Sequence, residues 1–531
     1  MVDKCRTVIK GIGREHKAVV LFAAAMAVYY GWRMFALDPW YDELYTYYSF
    51  ISRGPIYAAI HWPVPNNHVF YSVLSGFFMI FGNPYIALRG ISFLFSVGNL
   101  ILMYYLASRF FTRKLSLGCA ALYASFYQVN YLSVQGRGYT LAIGFYLLAL
   151  IMLYHICVKP KKQEACLPVG EGRLKRLLQG GFPLYAVFSL SLTGGLYAIP
   201  SNLYWVLPVC LAGGLYLLFQ QKEMGRLLRL IISSLIAAFN TFCLYSLIWL
   251  AIGSNLLSKT EGSGYFGIYQ VDILLEAPFK AWQTGMKYML DTPYVQSIDR
   301  GTVITGFFDW LVGLMNLFYS SWGLGLTLLL IVSLFLCPWL GRRAYLKKEE
   351  KELFLYVCLG SMLWSLPIIL IVQSVQPYYR VFTFLGVPLA LLLAVYLKKL
   401  IPQKGQGYLD FSCLLFLAGL LVTSYYNEPY ADRESEIRQI WELAEIREEP
   451  ESFFYVDDYQ KYVLQFYWGY RPRELPLQEA QYILVPREVE KEDFEEYSWP
   501  VLYPHAALDW EYLEGCELVY TTSAYRLYKK R

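Results

Sequence analysis

Charge is the scarcest commodity in this chain. Only 16% of its 531 residues are Asp, Glu, Lys or Arg, against about 25% in a soluble globular protein, which excludes an ordinary water-soluble domain. Cysteine chemistry is equally thin. The ten cysteines form no CxxC pair and no Cys/His cluster, so neither a zinc site nor a disulfide framework is indicated. Seven of them (Cys119, Cys157, Cys210, Cys243, Cys337, Cys358 and Cys413) sit inside apolar runs, and only Cys516 lies in the last hundred residues. The basic N-terminal segment and its apolar run have no small-residue cleavage site, so the run reads as a retained first span. Internal repeats are missing, as are charges near the middle of the apolar runs, and a transporter needs one or the other.

What remains is apolar and aromatic: 56% hydrophobic and 18% Phe, Trp and Tyr, with a mean hydropathy of +0.35. Runs long enough to cross a hydrocarbon core of about 30 Å recur along the chain. They are 18–36, 86–107, 115–131, 138–157, 182–199, 202–220, 230–253, 322–340, 353–373, 381–397 and 409–425. The fold class expected is an all-α polytopic membrane protein with about 11 transmembrane helices.

Basic residues set the expected orientation, because Lys and Arg stay on the cytoplasmic side. The segments 1–17, 108–114, 158–181, 221–229, 341–352 and 398–408 hold 25 of the 34 Lys and Arg that precede residue 426. The N-terminus is then cytoplasmic and the C-terminal region extracytoplasmic, in a multi-pass cell-membrane protein. HVFYSVLSGFFMIFG (68–82) and GFFDWLVGLMNLFYS (306–320) are too short to span and would invert that pattern. They read as interfacial helices, the first of them within the first external loop.

The net charge of +5 hides an asymmetry. Residues 426–531 hold 12 Lys and Arg but 23 Asp and Glu, a net of −11, and the rest nets +16. A domain boundary near Tyr426 follows, giving a membrane domain over 1–425 and an extracytoplasmic domain over 426–531. In the latter, 453–458, 481–486, 517–522 and 524–530 read as short strands, with helices at 434–447 and between the first two strands. This is a small α/β domain. It contains no nucleotide-binding glycine loop.

Four places could carry chemistry. DPWYDELY sets Asp42 and Glu43 directly after the first span. Aromatic anchoring at headgroup depth accounts for Trp40, Tyr41 and Tyr45, but not for adjacent acids at an apolar boundary, where a carboxylate loses hydration and becomes a better base. VPNNHVFYSV places His68 at the start of an interfacial helix, behind two asparagines suited to capping it. SVQGRGYTLAI carries Arg137 as the only charge between two apolar spans, with the flanking glycines expected to expose it to an anion. QPYYRVF repeats the theme with Tyr379 and Arg380. Isolated arginines with a carboxylate pair suit an anionic lipid substrate.

The order of these motifs resembles the GT-C membrane glycosyltransferases. An Asp-Glu pair follows the first span, then a His-led interfacial helix, an Arg-led second span, a basic turn, and an Arg-x-Tyr turn after the third span. The resemblance is closest to the protein O-mannosyltransferase and aminoarabinose-transferase branch, including its bacterial RgtA/B/C/D-like group. It covers about residues 18–160 well and 353–400 loosely. The family helix usually begins His-Pro-Pro, whereas here Val69 and Phe70 follow His68. The family turn is often Ala-Arg-Met-Tyr, and here Gly136-Arg137-Gly138-Tyr139 keeps the Arg and Tyr.

The resemblance implies a GT-C fold and transfer of a hexose or pentose from a polyprenyl-phosphate carrier to a hydroxyl of a glycan, lipid or protein at the outer face. It implies Asp42 as catalytic base with Glu43 beside it, and it matches His68, Arg137 and Tyr139 to family positions; together with Tyr379 and Arg380 of the QPYYRVF turn, these are the residues expected on the substrate. Displacement in one step inverts the anomeric centre. Some relatives bind a divalent metal, and since no ligand spacing stands out here the metal stays open. No nucleic-acid partner is expected. The competing readings are a flippase or transporter of a lipid-linked substrate, and a wall-polymer ligase or polymerase.

Overall fold

The computed structural model describes residues 17–62, 66–158, 181–221, 224–291, 298–320 and 322–400, and in the C-terminal region 438–440, 442–443, 453–455, 462–463, 465–467, 475–487, 509–523 and 525–531. Contacts divide the chain into two compact units, one of residues 1–34 and 54–428, the other of residues 35–53 and 429–531. The acidic, aromatic stretch after the first helix therefore belongs with the C-terminal region.

The larger unit is helical. Among the described residues eight helices are long and apolar enough to cross a membrane, which makes this a multi-pass membrane protein. They are Lys17–Ala36, Pro84–Ala107, Tyr139–Cys157, Pro200–Phe219, Met224–Lys259, Gly323–Lys347, Glu350–Gln373 and Tyr379–Lys399. The expected span over 182–199 is Phe182–Ala198, at 17 residues a shorter apolar helix. The expected span 409–425 lies outside the described residues.

The expected span 115–131 is broken. Arg113–Ser125 stops at Phe126, whose ψ of 125° is not helical, and Tyr127–Leu132 starts anew. The backbone N–H groups freed at the break are used: Tyr127 donates to the Phe318 carbonyl at 3.0 Å and Gln128 to that of Leu317 at 2.9 Å. A break among apolar helices survives only where such acceptors exist. They come from the end of the short helix Phe307–Asn316, as expected at 306–320. The other short apolar segment forms Val69–Phe77 and a 3₁₀ turn, Phe78–Phe81.

Pro84–Ala107 shows why these sequences fold as they do. Asn83 caps it, its side chain accepting from the Tyr85 and Ile86 N–H groups at 2.9 and 3.2 Å, and Pro84 occupies the first turn where no N–H is needed. One face of this otherwise apolar helix carries Ser92, Ser96 and Asn99, spaced four and three apart, all buried.

In the smaller unit β1 (Phe453–Tyr455), β2 (Tyr482–Pro486), β3 (Glu517–Thr521) and β4 (Tyr525–Lys529) make one sheet in the order β1-β2-β4-β3. β1 and β2 run parallel, and the other two pairs are antiparallel. Ile483 and Val485 of β2 pack with Leu477, Ala480, Leu513 and Cys516 into the core of this sheet. All four strands fall where the sequence placed them.

Candidate active site

The polar face of Pro84–Ala107 builds the site from below. Ser92 Oγ donates to the Gln135 carbonyl and lies 3.3 Å from that of Arg137. Ser96 Oγ donates to the Ser133 carbonyl at 2.5 Å, and Asn99 Nδ2 to that of Thr140 at 2.8 Å. The turn 133–140 is thus held carbonyl by carbonyl against one helix. Tyr71 Oη fastens Val69–Phe77 to the same helix through the Leu88 carbonyl at 2.5 Å.

The two glycines of the turn are there for close approach. A Cβ at Gly136 would lie 2.7 Å from Leu88 Cγ and 3.0 Å from the Leu88 carbonyl oxygen. A Cβ at Gly138 would lie 3.1 Å from the His68 Cβ. Arg137 is consequently buried, at 3% exposure. This corrects the expectation of an exposed arginine: the glycines do not expose it but let the turn sink between two helices.

That burial brings Arg137 to His68, which is 6% exposed. The Gly138 N–H donates to His68 Nδ1 at 2.8 Å. A backbone N–H can only donate, so Nδ1 presents its lone pair, and in the neutral ring the proton sits on Nε2. Arg137 Nη2 lies 3.3 Å from that Nε2, while Arg137 Nη1 donates to the Asn66 carbonyl at 3.1 Å. Two hydrogen-bond donors, one of them cationic, are therefore side by side, the donor chemistry that suits an anionic oxygen. Burial, then Arg137 and then Arg380, push the His68 pKa well below its usual value, so the ring is neutral. Tyr139 meets the His68 ring edge-on at 5.0 Å.

Arg380 thus lies within electrostatic reach of His68, its guanidinium 5.1 Å from the Tyr378 ring. Tyr379 rests on Trp310 of Phe307–Asn316, with ring centroids 5.8 Å apart. Asn67 does not cap the helix as the sequence suggested. Its side-chain amide donates to the Ala58 and His61 carbonyls, both at 2.9 Å, and accepts from Ser72 at 2.8 Å. The helix begins instead on His68.

Asp42 and Glu43 belong to the smaller unit, in the first turn of the helix Tyr41–Ser49. Glu43 is fully buried and accepts the Trp40 N–H through Oε2 at 3.0 Å. A Glu at this position closing on the residue before the helix is half of a capping box. Asp42 is half-buried, and Thr46 Oγ1 donates to its backbone carbonyl at 2.7 Å. Among the described residues no three His, Cys, Asp or Glu side chains converge, and the groups at His68 are donors rather than cation ligands. The serines and Asn99 that carry the turn were missed in the sequence, although their i, i+4, i+7 spacing in an apolar run was a readable signal.

Residues 68–172 match the family described as dolichyl-phosphate-mannose-protein mannosyltransferase. No curated protein matches the chain. Among solved structures, the Archaeoglobus fulgidus oligosaccharyltransferase in its apo form is 14% identical, over 97% of this chain and 74% of that one, with a TM-score of 0.46. The same enzyme complexed with Zn and sulfate gives 14%, 96%, 73% and 0.47. ArnT from Cupriavidus metallidurans, bound to undecaprenyl phosphate, is 12% identical over 96% of this chain and 97% of its own, with a TM-score of 0.40. At this level the structural likenesses carry no argument about mechanism. The family match begins at His68 and takes in Arg137 and Tyr139, the three residues that meet here, and it bears out the resemblance of this chain to the GT-C membrane glycosyltransferases.

Proposed function

We propose that the chain transfers a sugar from a polyprenyl-phosphate carrier to an acceptor hydroxyl at the outer face of the membrane, with inversion. The observation that carries this reading is the convergence of His68 Nε2–H and Arg137 Nη2 on one place, beside Arg380. Donors held in advance where negative charge develops need no reorganisation during reaction. Polyprenyl phosphate gains that charge as its bond to the anomeric carbon breaks. Asp42 takes the proton of the acceptor hydroxyl as its oxygen bonds to that carbon, and the carrier leaves as the phosphate. Glu43 supports Asp42 by fixing the helix start, and Tyr139 buttresses the His68 ring. Tyr379 shapes the approach from the 376–380 turn.

Nucleotide sugars are cytoplasmic, so a reaction at the outer face requires a lipid-borne donor. The distribution of basic residues supports that orientation. Hexose or pentose, and glycan, lipid or protein as acceptor, are choices for substrate screening. No step is routed through a metal.

The test is binding of undecaprenyl phosphate to the full chain in nanodiscs, followed by native mass spectrometry. Wild type and Asp42→Asn are expected to retain the lipid, while Arg137→Ala and His68→Ala lose most of it. Release of undecaprenyl phosphate from a panel of undecaprenyl-phosphate hexoses and pentoses is expected to need Asp42. Equal lipid retention by Arg137→Ala and His68→Ala, or full turnover by Asp42→Asn, would overturn the reading.

A further inference from the structure

Three carboxylates follow the first helix, and they have three different surroundings. Glu43 closes the start of the helix Tyr41–Ser49. Asp42 is half-buried in its first turn. Asp38, just before the helix, is held from 400 residues away. Arg438 Nη1 lies 3.1 Å from Asp38 Oδ1, and Tyr467 Oη donates to the same oxygen. The Asp38 side chain is only 10% exposed while that of Arg438 is 45% exposed. The Arg438 guanidinium also stands 5.6 Å from the Tyr467 ring centroid and bonds Glu442 at 3.1 Å through Nε, so its direction is fixed from several sides.

The same helix is gripped along an aromatic face. Tyr41, Tyr45 and Tyr48 recur at i, i+4 and i+7, which places them on one side. All three meet a single ring. Tyr48 stacks on Tyr462 at 5.5 Å with the planes 8° apart, while Tyr41 and Tyr45 reach it at 6.2 and 6.3 Å. Tyr47 meets Phe466 edge-on at 6.2 Å. At about 100° per residue, Asp42 projects roughly a quarter turn away from that face. Ion pair and aromatic seat therefore fix both the position and the rotation of the helix, and leave the Asp42 side of it uncovered by them.

We infer that the C-terminal domain positions the catalytic carboxylate: Arg438 and Tyr467 anchor Asp38, Tyr462 seats Tyr41, Tyr45 and Tyr48, and the helix so held sets the direction of Asp42. Arg438, Tyr467 and Tyr462 are positioning residues and touch no substrate. The inference rests on the reading of Asp42 as the base. It gives the domain a role other than choosing an acceptor, and it requires segments 35–53 and 429–531 to act as one body.

The experiment uses the full chain in nanodiscs. Hydrogen exchange is followed over residues 38–50, and release of undecaprenyl phosphate is followed over a panel of undecaprenyl-phosphate hexoses and pentoses. In Arg438→Ala, exchange over 41–49 is expected to rise about tenfold and kcat to fall about tenfold, with KM for the donor unchanged, as for loss of orientation alone. Arg438→Lys, which keeps the charge, is expected to recover most of the rate. Tyr467→Phe removes only a hydroxyl, leaves the sheet core untouched and is expected to give a smaller effect of the same kind. The double variant Asp38→Asn/Arg438→Ala is expected to be no worse than either single one. Unchanged exchange over 41–49 in both Arg438→Ala and Tyr467→Phe would overturn the anchor. Raised exchange with unchanged kcat would overturn its catalytic role. Full turnover by Asp42→Asn would instead remove the reading of Asp42 as base, which the exchange data do not depend on.

Discussion

The backbone N–H of Gly138 donates to Nδ1 of His68 at 2.8 Å, and this one bond decides which nitrogen of a buried ring carries the proton. It also fixes a pH dependence. Burial, Arg137 and Arg380 hold the His68 pKa well below its usual value in the folded chain, while in the unfolded chain it returns to about 6.5. Below pH 6.5 the unfolded state binds a proton that the folded state refuses, so stability falls as pH falls from there towards the folded pKa. Above pH 6.5 the contribution is fully present. The slope in the window is up to about 1.4 kcal/mol per pH unit. His68→Gln has no such proton to take up. The drop in melting temperature between pH 7 and 5.5 is expected to be smaller in that variant than in wild type, and equal drops would refute the assignment.

Arg137 makes two directed contacts, one to the Asn66 carbonyl and one beside His68 Nε2. A lysine has one nitrogen and cannot reproduce the fork. Arg137→Lys is therefore expected to weaken undecaprenyl phosphate binding about tenfold or more, close to the effect of Arg137→Ala, although the charge is kept. Near-wild-type affinity in the lysine variant would mean that charge alone suffices.

Asp42 and Glu43 are neighbours in sequence with opposite expected phenotypes. Glu43→Ala removes the acceptor of the Trp40 N–H and is expected to cost about 1 kcal/mol of helix stability. Hydrogen exchange over 40–44 reads this. Asp42→Asn keeps the shape and should leave exchange unchanged while abolishing turnover. If the two variants lose activity equally with equal exchange, the division between them fails.

The spans were legible because apolar run length is a direct consequence of bilayer thickness. The break at Phe126 was not, because AALYASFYQVN contains neither Gly nor Pro. It exists through the carbonyls of Leu317 and Phe318, some 190 residues away. The glycines around Arg137 were legible as special and misread as exposing, since close approach to Leu88 and His68 is a property of the partners. The meeting of His68, Arg137 and Tyr139 follows the motif order, because a His-led helix and an Arg-x-Tyr turn pack as one helix–turn arrangement. The capping role of Glu43 was open to local reading, three residues after Trp40. The anchor from Arg438 to Asp38 was closed to it, because nothing in a linear sequence pairs residues 400 apart.

Gly253 and Gly285 mark a close helix crossing in the larger unit. Met224–Lys259 and Pro278–Asp291 pack there backbone to backbone. A Cβ at Gly253 would fall on the Ala281 carbonyl oxygen and 2.9 Å from the Gly285 nitrogen, and one at Gly285 would fall on the Trp249 carbonyl, 2.7 Å from its carbon. No side chain can rotate to relieve either contact, so the helices must part. Gly253→Ala or Gly285→Ala is expected to cost about 1–3 kcal/mol, as overpacking does. Parting them also strains the edge contact of Trp249 with Trp282 at 5.6 Å and the bond from Trp282 Nε1 to Ser246 at 3.1 Å. Tryptophan emission should therefore shift along with the melting temperature. Once one alanine has opened the gap, the second meets less resistance, so the double variant is expected to be less destabilised than the sum of the two. Full additivity would show that the glycines act at separate places, and an unchanged melting temperature in both single variants would show that the crossing is looser than described.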